Sequence, residues 1–231
     1  MEEEWGKTCI LACETLRSEL EFVMESSGSR LTVFSVESGK HLFPDKLREA
    51  IQTGLDRIPE EYRTVLLLFG FCGNAMVGVT SGARRVVLPK AADCIPIFLG
   101  SRAIRNGYGA RRYFFTEGYL RAESNPVSDY EHLIGRYGGI EAREIMREML
   151  KYYERLSIID TGVFDVAEAR TAITALSKAT GIPVDVLPGD LRLIRMLIEG
   201  DWPSDEFLVI EPGAEITLTD AMSFQSVSQI G

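Results

Sequence analysis

Four cysteines and two histidines carry most of the soft-metal and nucleophilic chemistry open to this 231-residue chain. Three thiols and one imidazole fall at matching places in the sequence rhythm. Cys13 ends the apolar run 8–13, His41 follows the run 30–36, Cys72 closes the run 64–71 and Cys94 follows the run 85–89. If those runs are strands of a parallel sheet, all four residues stand beyond the carboxyl ends of successive strands. Open α/β sheets place their ligands there. Cys9 lies inside the first run, about 13 Å from Cys13 at the rise of an extended strand, and is set apart from the group.

Three thiolates and an imidazole form a recurrent tetrahedral zinc set. The spacing is unlike the local C-x-x-C patterns, so the expectation rests on topology rather than on a motif. Two other readings stay open. A thiol near a helix N-terminus (Cys94) or in a glycine-flanked turn (Cys72) suits the reactive thiolate of a metal-free cysteine enzyme. Free cysteines are also among the most buried residue types and serve packing alone, although packing does not account for a shared edge. His132, in Tyr130-Glu131-His132-Leu133-Ile134-Gly135, departs from the D-x-H-x-x-G signature of corrinoid-binding domains at its first position. It also follows no strand, and reads as a surface or helix-start residue.

Further candidates surround this set. The turn 70–78 is glycine-rich, so Gly73 and Asn74 could present backbone N–H groups to an anion. It matches neither G-x-G-x-x-G nor the Walker pattern, whose lysine it lacks, and tight turns account for its glycines equally well. Arg102 is able to clamp a carboxylate or phosphate or, at a helix C-terminus, to complement the dipole. Glu117 and Asp93 are candidate proton carriers, with Gly118 letting the backbone bend beside Glu117. Asp160 and Asp190 also follow strands, and a helix-capping role is the better reading of Asp190.

The elements that must position these residues alternate from end to end, as in an α/β protein with mainly parallel sheets and flanking helices. Strands are predicted at 8–13, 30–36, 64–71, 85–89, 112–116, 156–160, 184–187 and 207–211. Helices are predicted at 14–26, 44–58, 93–105, 140–154, 166–180 and 191–199. Pro44 suits a first helical turn, and Pro96 is tolerated in one. The rhythm reads as two similar Rossmann-like βα halves: 1–110 with the Cys/His cluster, and 111–219. Residues 220–231 are a polar tail or arm.

With 45% hydrophobic and 26% charged residues, the chain is long enough to bury a substantial core. Its net charge of −9 leaves no basic nucleic-acid footprint and no attraction to anionic lipid. The acidic start Met1-Glu2-Glu3-Glu4-Trp5 lacks the n- and h-regions of a signal peptide. No apolar run approaches the roughly 20 residues of a membrane span. Four cysteines are too few for a disulfide scaffold. A cytoplasmic protein with reduced thiols is expected.

The sequence resembles a family labelled a domain of unknown function, found in methanogenic archaea and other anaerobes and often encoded beside corrinoid-dependent methyltransferases. The resemblance covers nearly the whole chain. It rests on Leu11-Ala12-Cys13-Glu14-Thr15-Leu16, His41 three residues before Pro44, and Gly70-Phe71-Cys72-Gly73-Asn74. It continues through Leu88-Pro89, Asp93-Cys94-Ile95, Leu99-Gly100-Ser101-Arg102 and Thr116-Glu117-Gly118-Tyr119. Tyr153-Glu154-Arg155-Leu156, Ile159-Asp160-Thr161-Gly162 and Gly200-Asp201-Trp202 complete it. Lys90 and Tyr119 depart from the arginine and tryptophan common in that family. The resemblance implies a setting in anaerobic one-carbon metabolism and supplies no reaction.

The expectation is therefore a cytoplasmic zinc protein, with Cys13, His41, Cys72 and Cys94 as ligands in a cleft. It would activate a thiol or small anionic substrate in corrinoid-linked methyl transfer. Glu117 or Asp93 would handle a proton, Arg102 an anionic group, and Gly73 and Asn74 would lie against the ligand. Its partners would be a small molecule or a corrinoid methyltransferase system, with neither nucleic acid nor membrane, and an oligomer is open. It has no corrinoid-binding motif of its own. The alternatives are an accessory protein with a structural zinc site and a metal-free cysteine enzyme.

Overall fold

The computed structural model describes residues 7–37 and 43–223. Among the described residues, eight strands form two sheets. β1 (Lys7–Cys13), β2 (Thr32–Val36), β3 (Tyr62–Leu68), β4 (Arg85–Pro89) and β8 (Phe207–Ile210) make a five-stranded sheet in the order β2-β1-β3-β4-β8. β5 (Arg112–Phe115), β6 (Arg155–Asp160) and β7 (Val184–Pro188) make a three-stranded parallel sheet in that order. All pairings of the first sheet are parallel except β4 with β8. The architecture is mixed α/β with mainly parallel sheets, as the apolar rhythm predicts.

The period-two alternation of β1 and β3 divides their side chains between two cores. Ile10, Ala12, Leu66 and Leu68 face one side, where α1 (Arg17–Ser27) contributes Leu20 and Val23 and α9 (Arg192–Glu199) contributes Leu193, Ile194 and Leu197. Cys9, Leu11, Val65 and Leu67 face the other, against Leu47, Ile51 and Leu55 of α2 (Pro44–Arg57). The i, i+4, i+8 spacing of those α2 residues forms one apolar stripe, and Pro44 opens the helix, where no N–H partner is needed. Cys9 is therefore a packed core thiol with no exposed surface, driven up to about 12 by burial.

One face of the second sheet packs on the helices of its own half. Leu156 and Ile158 meet α6 (Pro126–Tyr137), α7 (Gly139–Met149) and α8 (Val166–Thr180). Phe114, Ile159 and Leu187 turn the other way, into the core of the first sheet. This shared core fixes the edge of one sheet against the other.

Four local features differ from the sequence expectation. The helix predicted over 93–105 is two short ones, α3 (Ile95–Phe98) and α4 (Arg102–Gly107). Gly100 adopts φ +71° between them, and Ser101 caps α4 by accepting from Ala103 N. α5 (Glu117–Arg121) and α6 occupy a stretch without a predicted element, and capping by Thr116 and Asn125 explains their starts. α7 ends at Met149, not 154, which frees Tyr153 from the helix. The last strand, β8, joins β4 in the first sheet rather than extending the second. The tail predicted over 220–231 begins inside a helix, α10 (Leu218–Met222), and residues 224–231 lie outside the described residues.

Candidate functional site

Cys13, Cys72 and Cys94 line one cavity of about 420 Å³ at the carboxyl edge of the first sheet. The opposite wall comes from Arg105 of α4 and from Arg112, Tyr113, Phe114, Thr116 and Tyr119 on and after β5, with Tyr153 beside them. Three of the four residues that topology groups in the sequence thus line one space. His41 lies outside the described residues.

Each thiol is placed by a different local device. Cys13 is the last residue of β1, where the chain turns into a 3-10 segment, Glu14–Leu16. Its Sγ lies 3.2 Å from Thr15 Oγ1. Cys72 adopts φ +42°, followed by Gly73 at +69° and Asn74 at +67°, in a region that favours glycine. That strained turn is held by Phe71 N and Cys72 N donating to the carbonyls of Ala91 and Ala92, each at 2.8 Å. Cys94 stands at the N-cap of α3, while Asp93 caps the same turn by accepting from Ile95 N at 2.9 Å. Gly70 makes the approach of the two loops possible. A Cβ there would stand 2.1 Å from the carbonyl carbon of Asp93.

Burial raises all three thiols above their ordinary value, and negative neighbours raise them further. Cys72 is pushed up to about 12 by burial first, then by Asp93 and Cys13. Cys94 is pushed well above the usual range by burial, then by Cys72, Asp93 and Cys13. Burial also raises Cys13, against the hydrogen bond from Thr15. The three sulfurs feel one another electrostatically, and without a cation among them they remain neutral thiols. Among the described residues, no three His, Cys, Asp or Glu side chains stand in a metal-ligating group as they lie.

The remaining candidates separate. Asp93 lines the cavity, raised by burial and drawn down by Ile95 N–H and the Arg105 charge. Gly73 also lines it, and Asn74 is not among the lining residues. Arg102 points elsewhere: it opens α4 instead of ending a helix, and its Nη2 donates to Asp205 O at 2.6 Å. Its dipole role falls with the helix break, because a cation at a helix N-terminus is not favoured. Glu117 begins α5, pairs with Arg121 at 2.6 Å and is not a lining residue of the cavity. Gly118 matters for proximity rather than for bending, since a Cβ there would stand 2.1 Å from Thr15 O. Asp190 accepts from Arg192 N at 2.9 Å, at the start of α9, and Asp160 accepts from Gly162 N. His132 is an exposed residue within α6.

Sequence reading missed the tyrosines and two arginines of the far wall. Tyr113 and Tyr119 join their hydroxyls at 2.7 Å, and Tyr153 meets Tyr113 edge-on at 5.0 Å between centroids. The alternation of β5 carries a signal for Tyr113. Nothing local marks Arg105, which reaches the cavity only because α4 turns back across it. It also missed Glu19, a carboxylate with no exposed surface on α1. Glu19 accepts from Thr161 Oγ1 at 3.0 Å, while its Oε2 has no hydrogen-bond partner. Burial, and then Glu117, raise it to about 6 against the hydrogen bonds it accepts.

A second cavity, of about 570 Å³, opens at the amino ends of β5–β7 and shares Arg112 and Tyr153 with the first. It has no thiol, and its Arg111 is paired with Glu154. No helix among the described residues is long and apolar enough to cross a membrane. No curated protein and no solved structure matches the chain. A family model does match, over residues 35–198 and so over Cys72, Cys94 and most of the cavity wall. The chain belongs to that family, described as "Protein of unknown function (DUF1638)".

Proposed function

We propose that this is a small-molecule-binding metalloprotein in which Cys13, Cys72 and Cys94 hold a zinc ion, with His41 or a substrate thiol as fourth ligand. The observation that carries this reading is the meeting of three raised thiols in one cavity. A soft divalent cation is the partner that such thiols need in order to ionise near neutral pH. Small side-chain rotations and the fourth ligand complete the set on binding, because structural and catalytic zinc sites are coupled to local folding.

When bound, the metal lowers the pKa of a thiol presented to it. Three thiolates weaken its attraction for water, which favours thiol chemistry over hydrolysis. The protein's own groups do the rest. Asp93 offers a carboxyl at the cavity wall that would take up or return a proton, and Tyr119, hydrogen-bonded to Tyr113, keeps a phenol facing the same space. The setting we propose is cytoplasmic, in anaerobic one-carbon metabolism, where an activated thiol would accept or release a methyl group beside a corrinoid methyltransferase system. A saturated structural site in an accessory protein is the rival use of the same ligands.

Metal analysis of anaerobically purified protein tests the site. One zinc per chain, lost in Cys72→Ser with the fold retained by circular dichroism, is the expected result. Protein with no metal, unable to take up zinc with all thiols reduced, would overturn it. A second reading, a metal-free cysteine enzyme, uses the same three thiols. That reading requires one thiol to react rapidly near neutral pH, against the direction in which burial moves all three. A cobalt-substituted form then separates enzyme from accessory protein. Its spectrum shifts on adding a thiol if a position is exchangeable and stays unchanged if four protein ligands saturate the metal.

A further inference from the structure

We infer that the thiol cavity selects a ligand carrying an anionic group, recognised by Arg105, besides its own sulfur. The inference deepens the zinc-thiol reading and rests on it for the sulfur end alone.

Two arginines line the cavity, and their surroundings differ. Arg112 is already committed: its Nη1 donates to Ser157 Oγ at 3.0 Å and to the Asp185 carboxylate, which neutralises it. Arg105 has no carboxylate within ion-pair distance among the described residues. Its guanidinium lies over the Phe114 ring at 4.7 Å from the centroid, and Nη1 donates to Gly109 O at 3.0 Å. An anionic oxygen arriving in the cavity meets a guanidinium that no carboxylate pairs, already held in place to receive it.

Arg105 and the three thiols line one cavity of about 420 Å³. The cationic and thiol ends are therefore near neighbours across one small space. Leu16, Phe69, Ile95 and Phe114 line the same cavity and suit a methylene link. Sequence inspection favours Arg102 for this role, and the helix break at Gly100 gives it to Arg105 instead.

Calorimetric titration of 3-mercaptopropionate and 2-mercaptoethanol into the zinc-loaded full chain tests the inference. 3-Mercaptopropionate is expected to bind about tenfold or more tightly than the neutral thiol. Arg105→Gln should reduce the preference over 2-mercaptoethanol to within about threefold, and Arg105→Lys should restore part of it. The zinc content of each variant reports that the site is still folded. Equal affinity for the charged and neutral thiols in the wild type would overturn the inference and leave the zinc reading standing. So would a preference that survives Arg105→Gln. If the protein takes up no zinc, the zinc reading fails, and the same titrations on the reduced metal-free chain still decide the role of Arg105. Charge preference lost in Arg105→Gln supports it, and no preference overturns it.

Discussion

At the scale of single residues, protonation governs behaviour. The three cavity thiols are neutral near pH 7 in the metal-free protein, because burial and negative neighbours hold their protons. Zinc uptake should therefore release about three protons per chain at pH 7, read by titration in buffers of different ionisation enthalpy. Release of fewer than two would mean that the thiols are not all ligands. In the metal-free chain, alkylation of Cys72 at pH 8 should run at least a hundredfold slower than that of an unhindered thiol. The folded-state value of Cys72 lies above the unfolded one, so its contribution to stability is complete below the ordinary thiol value and is lost as pH rises toward 12. Glu19 follows the same sign at lower pH. Its folded value of about 6 exceeds the unfolded carboxyl value, so its contribution is complete below 4.5 and disappears as pH rises to about 6. Glu19→Gln should stabilise the protein at pH 7 by about 2 kcal/mol and flatten that loss. Denaturant midpoints measured from pH 4 to 7 give the comparison, and a variant that is less stable at pH 7 would contradict it.

At the scale of elements, the site depends on loops pressed together without side chains between them. Gly70 touches the Asp93 backbone and Gly118 touches the Thr15 backbone. These two contacts join the loop of Cys72 to that of Cys94, and the start of α5 to the turn after Cys13. Gly70→Ala should cost about 3 kcal/mol and weaken zinc uptake, because the intruding methyl meets a carbonyl and not a flexible side chain. Chemical denaturation alongside metal titration checks both, and an unperturbed variant would show that the loops can separate freely. Much at this scale is legible in the sequence. The strands at 85–89 and 112–115, the helix 166–180 and the Pro44 start of α2 follow from apolar periodicity and capping. The break of the helix after Cys94 is not legible. Gly100 and Ser101 read as a helix end or a helix start with equal ease, and only the backbone course makes them both. Arg102 and Arg105, three residues apart, exchange roles as a consequence.

At the scale of the whole molecule, one core joins the two sheets. Phe98 lies fully buried among Ile10, Leu66 and Val87 of the first sheet and Ile159 and Leu187 of the second. β8 carries the chain back to pair with β4 after the second sheet is complete. The molecule should unfold in one cooperative step, with calorimetric and van't Hoff enthalpies in agreement. Phe98→Ala should lower the single midpoint by about 3–5 kcal/mol of stability. Two resolved transitions would mean that the sheets fold independently.

The sequence by itself determined which residues could share an edge. Strand periodicity and parallel order are local properties, and they suffice to align Cys13, Cys72 and Cys94 beyond three strand ends. Only the tertiary structure decided what those thiols face. The second sheet's placement brings Tyr113, Tyr119 and Arg112 across the cavity, the return of α4 adds Arg105, and the Glu117 charge acts on Glu19. These are contacts between residues distant in the chain or set by a single backbone turn. No local pattern encodes them, because the free energy that fixes them belongs to the packing of two sheets on one core.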